Sequence, residues 1–207
     1  RATASLVIDP GSVIKLEGAR IEATFGANIL AEGTDGLPIV FTSKLDDTVG
    51  AGGTFDTNNN LNANLPAPRV WGGIYMAPTS NLSVDHARFS DAGGVTKLES
   101  TFRAFNTIEL QQAEGRIAHS IFENNADGFG GQGPGTRFGR LSNSQATIFA
   151  RGTQPIIIDN IFRNNDGSVI DIDVNSMTET LRGDTGGKPA RPEVLEEIAR
   201  VTGGKAV

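Results

Sequence analysis

Three short stretches of this chain are versions of one another. Val84-Asp85-His86-Ala87-Arg88-Phe89-Ser90-Asp91 recurs as Ile117-Ala118-His119-Ser120-Ile121-Phe122-Glu123-Asn124, and again as Ile157-Ile158-Asp159-Asn160-Ile161-Phe162-Arg163-Asn164. The phenylalanines stand 33 and 40 residues apart, and a turn rich in Gly, Asn or Asp follows each copy. A unit of this size cannot bury its apolar face alone, so repetition at this period predicts stacked units sharing one continuous core.

The spacing inside each copy says how the units stack. Val84 and Ala87 are three apart, whereas Ala87 and Phe89 are two apart. Successive side chains on a strand point to opposite faces, so a corner between Val84 and Ala87 is needed to turn both inward. The same shift of parity recurs at Ile117/Ser120/Phe122 and Ile157/Asn160/Phe162. A strand, a corner and a strand, repeated, wind a ribbon into a coil. Phe89, Phe122 and Phe162 should then pile along the axis about 4.8 Å apart, the spacing of hydrogen-bonded strands. Asn tolerates the left-handed backbone that a tight corner requires, and stacked Asn side chains can hydrogen-bond from coil to coil.

The first 43 residues read as short strands parted by turns. Leu6-Val7-Ile8 ends at Asp9-Pro10-Gly11-Ser12, and Val13 to Glu17 alternates with Ile14 and Leu16 on one face. Ile21/Ala23, Asn28 to Ala31 and Ile39 to Thr42 continue the pattern. No helical period precedes the tail, so the fold class is all-β, a coiled β-solenoid. Two excursions leave the coil, a polar, Gly-rich stretch over about 44–70 and a Gly-rich stretch over about 128–140. Trp71-Gly72-Gly73-Ile74-Tyr75-Met76 re-enters it, and Val169 to Val174 is the last clear strand. The solenoid is expected over 1–180. Residues 181–207 read as a linker followed by a short amphipathic helix over 192–201, with Val194, Leu195, Ile198 and Val201 as its apolar stripe. That helix is either a cap on the solenoid or the start of another domain.

In order along the chain, Ile8-Asp9-Pro10-Gly11-Ser12-Val13-Ile14-Lys15, Ala31-Glu32-Gly33-Thr34, Pro38-Ile39-Val40-Phe41-Thr42-Ser43 and Trp71-Gly72-Gly73-Ile74-Tyr75 resemble the succession of elements in right-handed parallel β-helix proteins, the pectate-lyase-like superfamily. With Asp46 to Gly50, Asp56 to Asn59 and Pro66 to Pro68, the chain is similar to the β-helix modules of very large exported bacterial proteins of the planctomycete type. The resemblance covers about residues 5 to 180. It implies a right-handed parallel β-helix of about five to seven coils, with a surface, adhesive or structural role; some relatives in the wider fold are polysaccharide lyases and hydrolases.

Composition narrows the partners. The 207 residues carry a net charge of −6 and no cysteine, which excludes disulfides and thiolate metal sites. An acidic chain without a basic stripe is a poor match for nucleic acid. No apolar run approaches the ~18 residues of a membrane helix. The chain enters a strand almost at once, which suggests a segment of a longer exported precursor, its first edge covered by other residues or another chain.

Candidate sites are few. Asp56, Asn58 and Asn60 have the one-three-five spacing of calcium loops, but Leu61 and Ala67 stand where such a loop wants Gly and Glu. A calcium site there would need Asp46 or Asp47 to fold back onto it. His86 and His119 occupy equivalent repeat positions and are expected to stack, yet no Cys or near carboxylate joins them as a zinc ligand. Asp171 and Asp173 share one strand face, about 6.6 Å apart, as paired carboxylates of glycoside hydrolysis are; Asp159 and Asp166 are further acids that neighbouring coils would have to bring in. Outward strand positions must be polar in any case, so the bland reading is a solvated face. Ile121 and Ile161 should point outward, either as a docking strip or beneath an inserted loop.

The expectation is a non-enzymatic structural or adhesive module of a secreted or cell-surface bacterial protein. Its partners would be other segments of a longer chain or neighbouring surface proteins. The alternative is a carbohydrate-active module that binds or cleaves a polysaccharide, with calcium. Carboxylates and a cation meeting in one groove would favour the alternative; scattered Asp side chains would favour the first.

Overall fold

The computed structural model describes residues 4–24, 26–50, 56–60, 63–98, 101–128, 142–173 and 176. The expected helix over 192–201 and most of the 128–140 excursion lie outside them. Seventeen strands follow in order: β1 (Ser5–Ile8), β2 (Val13–Leu16), β3 (Arg20–Ala23), β4 (Asn28–Glu32), β5 (Ile39–Ser43), β6 (Gly73–Met76), β7 (Asn81–Asp85), β8 (Ala87–Ser90), β9 (Val95–Leu98), β10 (Thr101–Ala104), β11 (Ile108–Gln111), β12 (Glu114–Ala118), β13 (Ile121–Glu123), β14 (Ala146–Arg151), β15 (Ile156–Ile158), β16 (Ile161–Arg163) and β17 (Ser168–Ile172).

Fifteen of them form three parallel sheets of five. The first sheet runs β1-β4-β7-β12-β15, the second β2-β5-β8-β13-β16, and the third β3-β6-β11-β14-β17. Each coil contributes one strand to each sheet, giving a parallel β-helix of five coils. The repeat stretches lie in register: Phe122 pairs with Phe89 on one side and Phe162 on the other.

The interior is a set of columns. Phe41, Phe89, Phe122 and Phe162 stack with centroids 4.7, 4.9 and 4.8 Å apart and planes within 9° of parallel. Phe41 extends the column below the three repeats, and Ile14 lies beneath it in register. On the third sheet Ile21, Ile74, Ile108, Ile148 and Ile170 form a second column, and on the first Ile8, Ala31, Val84, Ile117 and Ile157 a third.

The corners explain the parity shift. His86, His119 and Asp159 have φ of 45°, 48° and 53°, so one left-handed residue makes each turn between the first and second sheets. At the next corner Asp91, Asn124 and Asn164 have φ of 62°, 54° and 54°. Buried backbone donors there need partners, and the coil above supplies them. The Asn125 side-chain oxygen accepts from the Ala92 N–H at 2.9 Å, and the Asn165 oxygen accepts from the Asn125 N–H at 3.0 Å. The Ser120 hydroxyl and Asn160 amide do the same for Ala87 and Ser120 at the first corner.

All the large excursions leave at the corner between the second and third sheets. There the chain between β5 and β6 joins the strands of the second coil, the β9–β10 antiparallel hairpin those of the third, and the chain between β13 and β14 those of the fourth. The hairpin is a third insertion where two were expected. The Trp-Gly-Gly motif closes the first of them. Trp71 is fully buried and donates its indole N–H to the Ser90 carbonyl. Gly73 has φ 95°, and a Cβ there would stand 2.2 Å from the Asn106 carbonyl oxygen.

The column predicts a gradient of mutational cost. Phe122, fully buried between two rings, should lose about 3–5 kcal/mol on replacement by Ala. Phe162, only partly buried in the fifth coil, should lose less. Denaturant unfolding of Phe122→Ala and Phe162→Ala checks this; equal costs would contradict it.

Candidate functional site

The described ends of the 44–72 stretch lie beside the second sheet and line a cleft of about 420 Å³ with it. Asp46, Thr48, Pro66 and Pro68 come from the insertion, Arg88, Ser90 and Asp91 from the third coil, and Asn124 from the fourth. β8 supplies the strand face, and the left-handed corner at Asp91 turns its carboxylate under the insertion. Asp46 and Asp91 are both buried, at 4% and 5% exposure.

One hydroxyl joins the two acids. Thr42 donates to Asp46 Oδ2 at 2.8 Å and lies 3.3 Å from Asp91 Oδ2. The two carboxyls are driven apart in acidity. Burial acts on both to disfavour the charge. Around Asp46 it is outweighed: the Thr48 hydroxyl and N–H, the Thr42 hydroxyl and the Arg88 charge hold its carboxyl below the usual range. Around Asp91 burial wins, with the neighbouring Asp46 charge adding to it, and pushes the carboxyl up to about 6. Arg88 also donates through Nε to Glu123, a buried acid that Arg163 holds from the fifth coil at 2.6 Å. The cleft thus has one ionised acid, one acid that carries its proton into mildly acidic conditions, and a cation beside them.

None of this set was singled out from the sequence as catalytic. Asp91 had one signal: it stands where the other two repeats carry Asn124 and Asn164. The four acids that were singled out do not meet. Asp159 sits at the first corner, 3.7 Å from His119 Nε2. Asp166 sits at the second, 3.9 Å from Arg69. Asp171 accepts from the Ser144 hydroxyl, and Asp173 lies 3.4 Å from Arg151 Nε. Asp171 lies on β17 of the third sheet and Asp173 just after that strand, and neither lines the cleft.

Lys15 links the two segments that carry the calcium candidates. Lys15 Nζ donates to the Asp46 carbonyl at 2.6 Å and to the Thr57 hydroxyl at 2.9 Å, which ties both limbs of the insertion to β2. Asp46 spends its carboxylate on Thr42 and Thr48. Asp56 Oδ1 accepts the Asn60 N–H at 3.0 Å. The rest are orphaned: both Asp47 carboxylate oxygens and the side-chain oxygens of Asn58 and Asn60 are buried without a donor. A buried acceptor without a partner costs about 1–3 kcal/mol, more when charged. One carboxylate and two amide oxygens are hard donors of the kind calcium takes.

On the opposite side of the second sheet, the first corner gathers Asp85, His86 and His119. The two imidazoles stack at 4.9 Å, as their equivalent positions require. Sequence reading found no carboxylate near them, although Asp85 directly precedes His86; the coil brings it to His119 as well. Ile121 and Ile161 lie in register on the outward face of the second sheet, with Ile161 54% exposed.

The raised pKa of Asp91 makes a pH prediction. Its folded value lies above the ordinary 3.8, so the folded state holds that proton more tightly. The stabilisation is complete at the low end of this window and is lost as pH rises through about 6. Asp91→Asn keeps a residue suited to the left-handed corner and removes the titration. Relative to that variant, the wild type should lose on the order of 2 kcal/mol between pH 4 and pH 7, as read by denaturant unfolding at each pH. No family model, curated protein or solved structure matches the chain.

Proposed function

We propose that this chain is a non-enzymatic structural and adhesive segment of a secreted or cell-surface bacterial protein, with calcium holding its largest insertion. One observation carries the reading: five coils stack in register, and the large excursions all leave at one corner. Two functions are thereby separated. Unbroken interior columns supply stiffness and length, and a single decorated flank supplies variable surface. The four outlying acids, each with its own partner, also favour scaffold over catalyst. The resemblance to exported surface modules agrees with this assignment, as does the acidic, cysteine-free composition. Among the described residues, no helix is long and apolar enough to cross a membrane.

The cleft favours a second reading, a carbohydrate-active module. An ionised Asp46 beside a protonated Asp91 is the kind of division of labour that acid–base chemistry on a glycosidic bond uses, and Arg88 would attract an acidic polysaccharide.

Two experiments test these readings. Incubated with polyuronides and neutral polysaccharides in calcium, the chain should release neither unsaturated products nor reducing ends. Release that Asp46→Asn and Asp91→Asn abolish would replace the structural reading with the second. Calcium should raise stability by about 2–3 kcal/mol at a hundredfold excess over its dissociation constant, measured by unfolding with calcium or chelator. Asp47→Asn should remove most of that gain; an unchanged midpoint in the wild type would remove calcium from the proposal.

A further inference from the structure

We infer that Asp85, His86 and His119 form a binding site for a borderline divalent metal of the zinc class, clipping the third coil to the fourth. The site is separate from the cleft and from the calcium loop. Its ligand atoms, one from each residue, all lie within 4.8 Å of one another. His86 Nδ1 lies 2.6 Å and His119 Nδ1 2.9 Å from the same oxygen, Asp85 Oδ1.

The coil builds this arrangement. His86 and His119 each hold the left-handed place at the first corner, one coil apart, so their Cβ atoms leave the backbone in the same direction. Asp85 ends β7, with one carboxylate oxygen within hydrogen-bond distance of both rings. Arg116, on the coil above, donates to its other oxygen at 2.7 Å and fixes the carboxylate plane. Such a hydrogen bond behind a ligating carboxylate is what metal sites use to orient their donors.

Chemistry selects the metal. Two imidazoles and one carboxylate suit Zn²⁺, Co²⁺, Ni²⁺ or Cu²⁺ far better than the oxygen-seeking Ca²⁺ or Mg²⁺. Three protein donors leave a fourth position open to water or a further acid. Two exposed acids stand near: Asp35 Oδ1 is 3.3 Å from His86 Nε2, and Asp159 Oδ2 is 3.7 Å from His119 Nε2. Three carboxylates against the single Arg116 charge give the corner a field that favours a cation.

Binding needs only small movements. Both rings already touch Asp85 Oδ1, and a tetrahedral ion with bonds of about 2.0–2.1 Å would open these two contacts to roughly 3.3 Å and hold the ring nitrogens at the same spacing. The proton on each Nδ1 moves to Nε2 as the neutral ring changes tautomer, so no external base is required. A protonated ring must release its proton to ligate, so acid competes with the metal for the site.

The test uses the whole chain without an affinity tag, in saturating calcium so that the oxygen-donor loop does not compete. Zn²⁺ titrated by calorimetry should bind with a stoichiometry of one. Co²⁺ should give the visible absorption of a tetrahedral ion with nitrogen ligands. His86→Asn and His119→Asn suit the left-handed corner, as Asn124 and Asn164 do at the next, so each variant should fold. Each should weaken binding 10- to 100-fold and remove the cobalt bands, and Asp85→Asn should weaken it as well. Wild type and the His86→Asn/His119→Asn double variant titrating alike would overturn the proposal. So would loss of affinity in only one of the two histidine variants, which would mean that the rings do not share an ion.

Discussion

The structure rests on like side chains stacked along one axis at the spacing of hydrogen-bonded strands. The sheets set that spacing, since each coil pairs its backbone with the next. The four phenylalanine rings, nearly parallel and 4.7–4.9 Å apart, follow the backbone ladder. Each ring touches its neighbours along the column, so the core is extended by adding coils rather than by enlarging a centre. The corner residues complete the arrangement. Their left-handed turns put Val84, Ala87 and Phe89 on one interior, and the side-chain amides of the next coil answer the backbone donors that such a turn leaves unpaired.

The fold could be read from the chain because its evidence is periodic. A three-then-two spacing repeated three times has few explanations, and His86, His119 and Asp159 adopt the corner that it demands. Phe41 was missed as a member of the column because residues 44–72 separate it from Phe89 and break the period. The β9–β10 hairpin was missed for a related reason. It is a local antiparallel pair that owes nothing to the repeat, and it begins just after a turn, Asp91 to Gly94, that closes a repeat copy.

The candidate sites were less legible because each depends on residues that only the coil brings together. Asp85 reaches His119 across 34 positions, and Thr42 reaches Asp91 across 49. Strand-face reasoning about Asp171 and Asp173 identified two acids on one sheet, but not what stands opposite them. In the calcium loop, spacing pointed to Asp56, yet that carboxylate accepts a backbone N–H of its own turn. The unanswered oxygens belong to Asp47, Asn58 and Asn60. Spacing identifies which residues are neighbours along the chain; only the fold shows which of them have spent their hydrogen bonds.

The corner between the second and third sheets joins its strands through connections of very different length. In the first coil only 17–19 intervene, in the fifth only 164–167, and in the second the whole of 44–72. The winding of the ribbon is the same in every case, because nothing inside the tube depends on what leaves it there. This makes the corner a socket. Peptides grafted between Arg163 and Ser168 would project from the same flank as the native loops, at a height along the rod chosen by the coil that carries them.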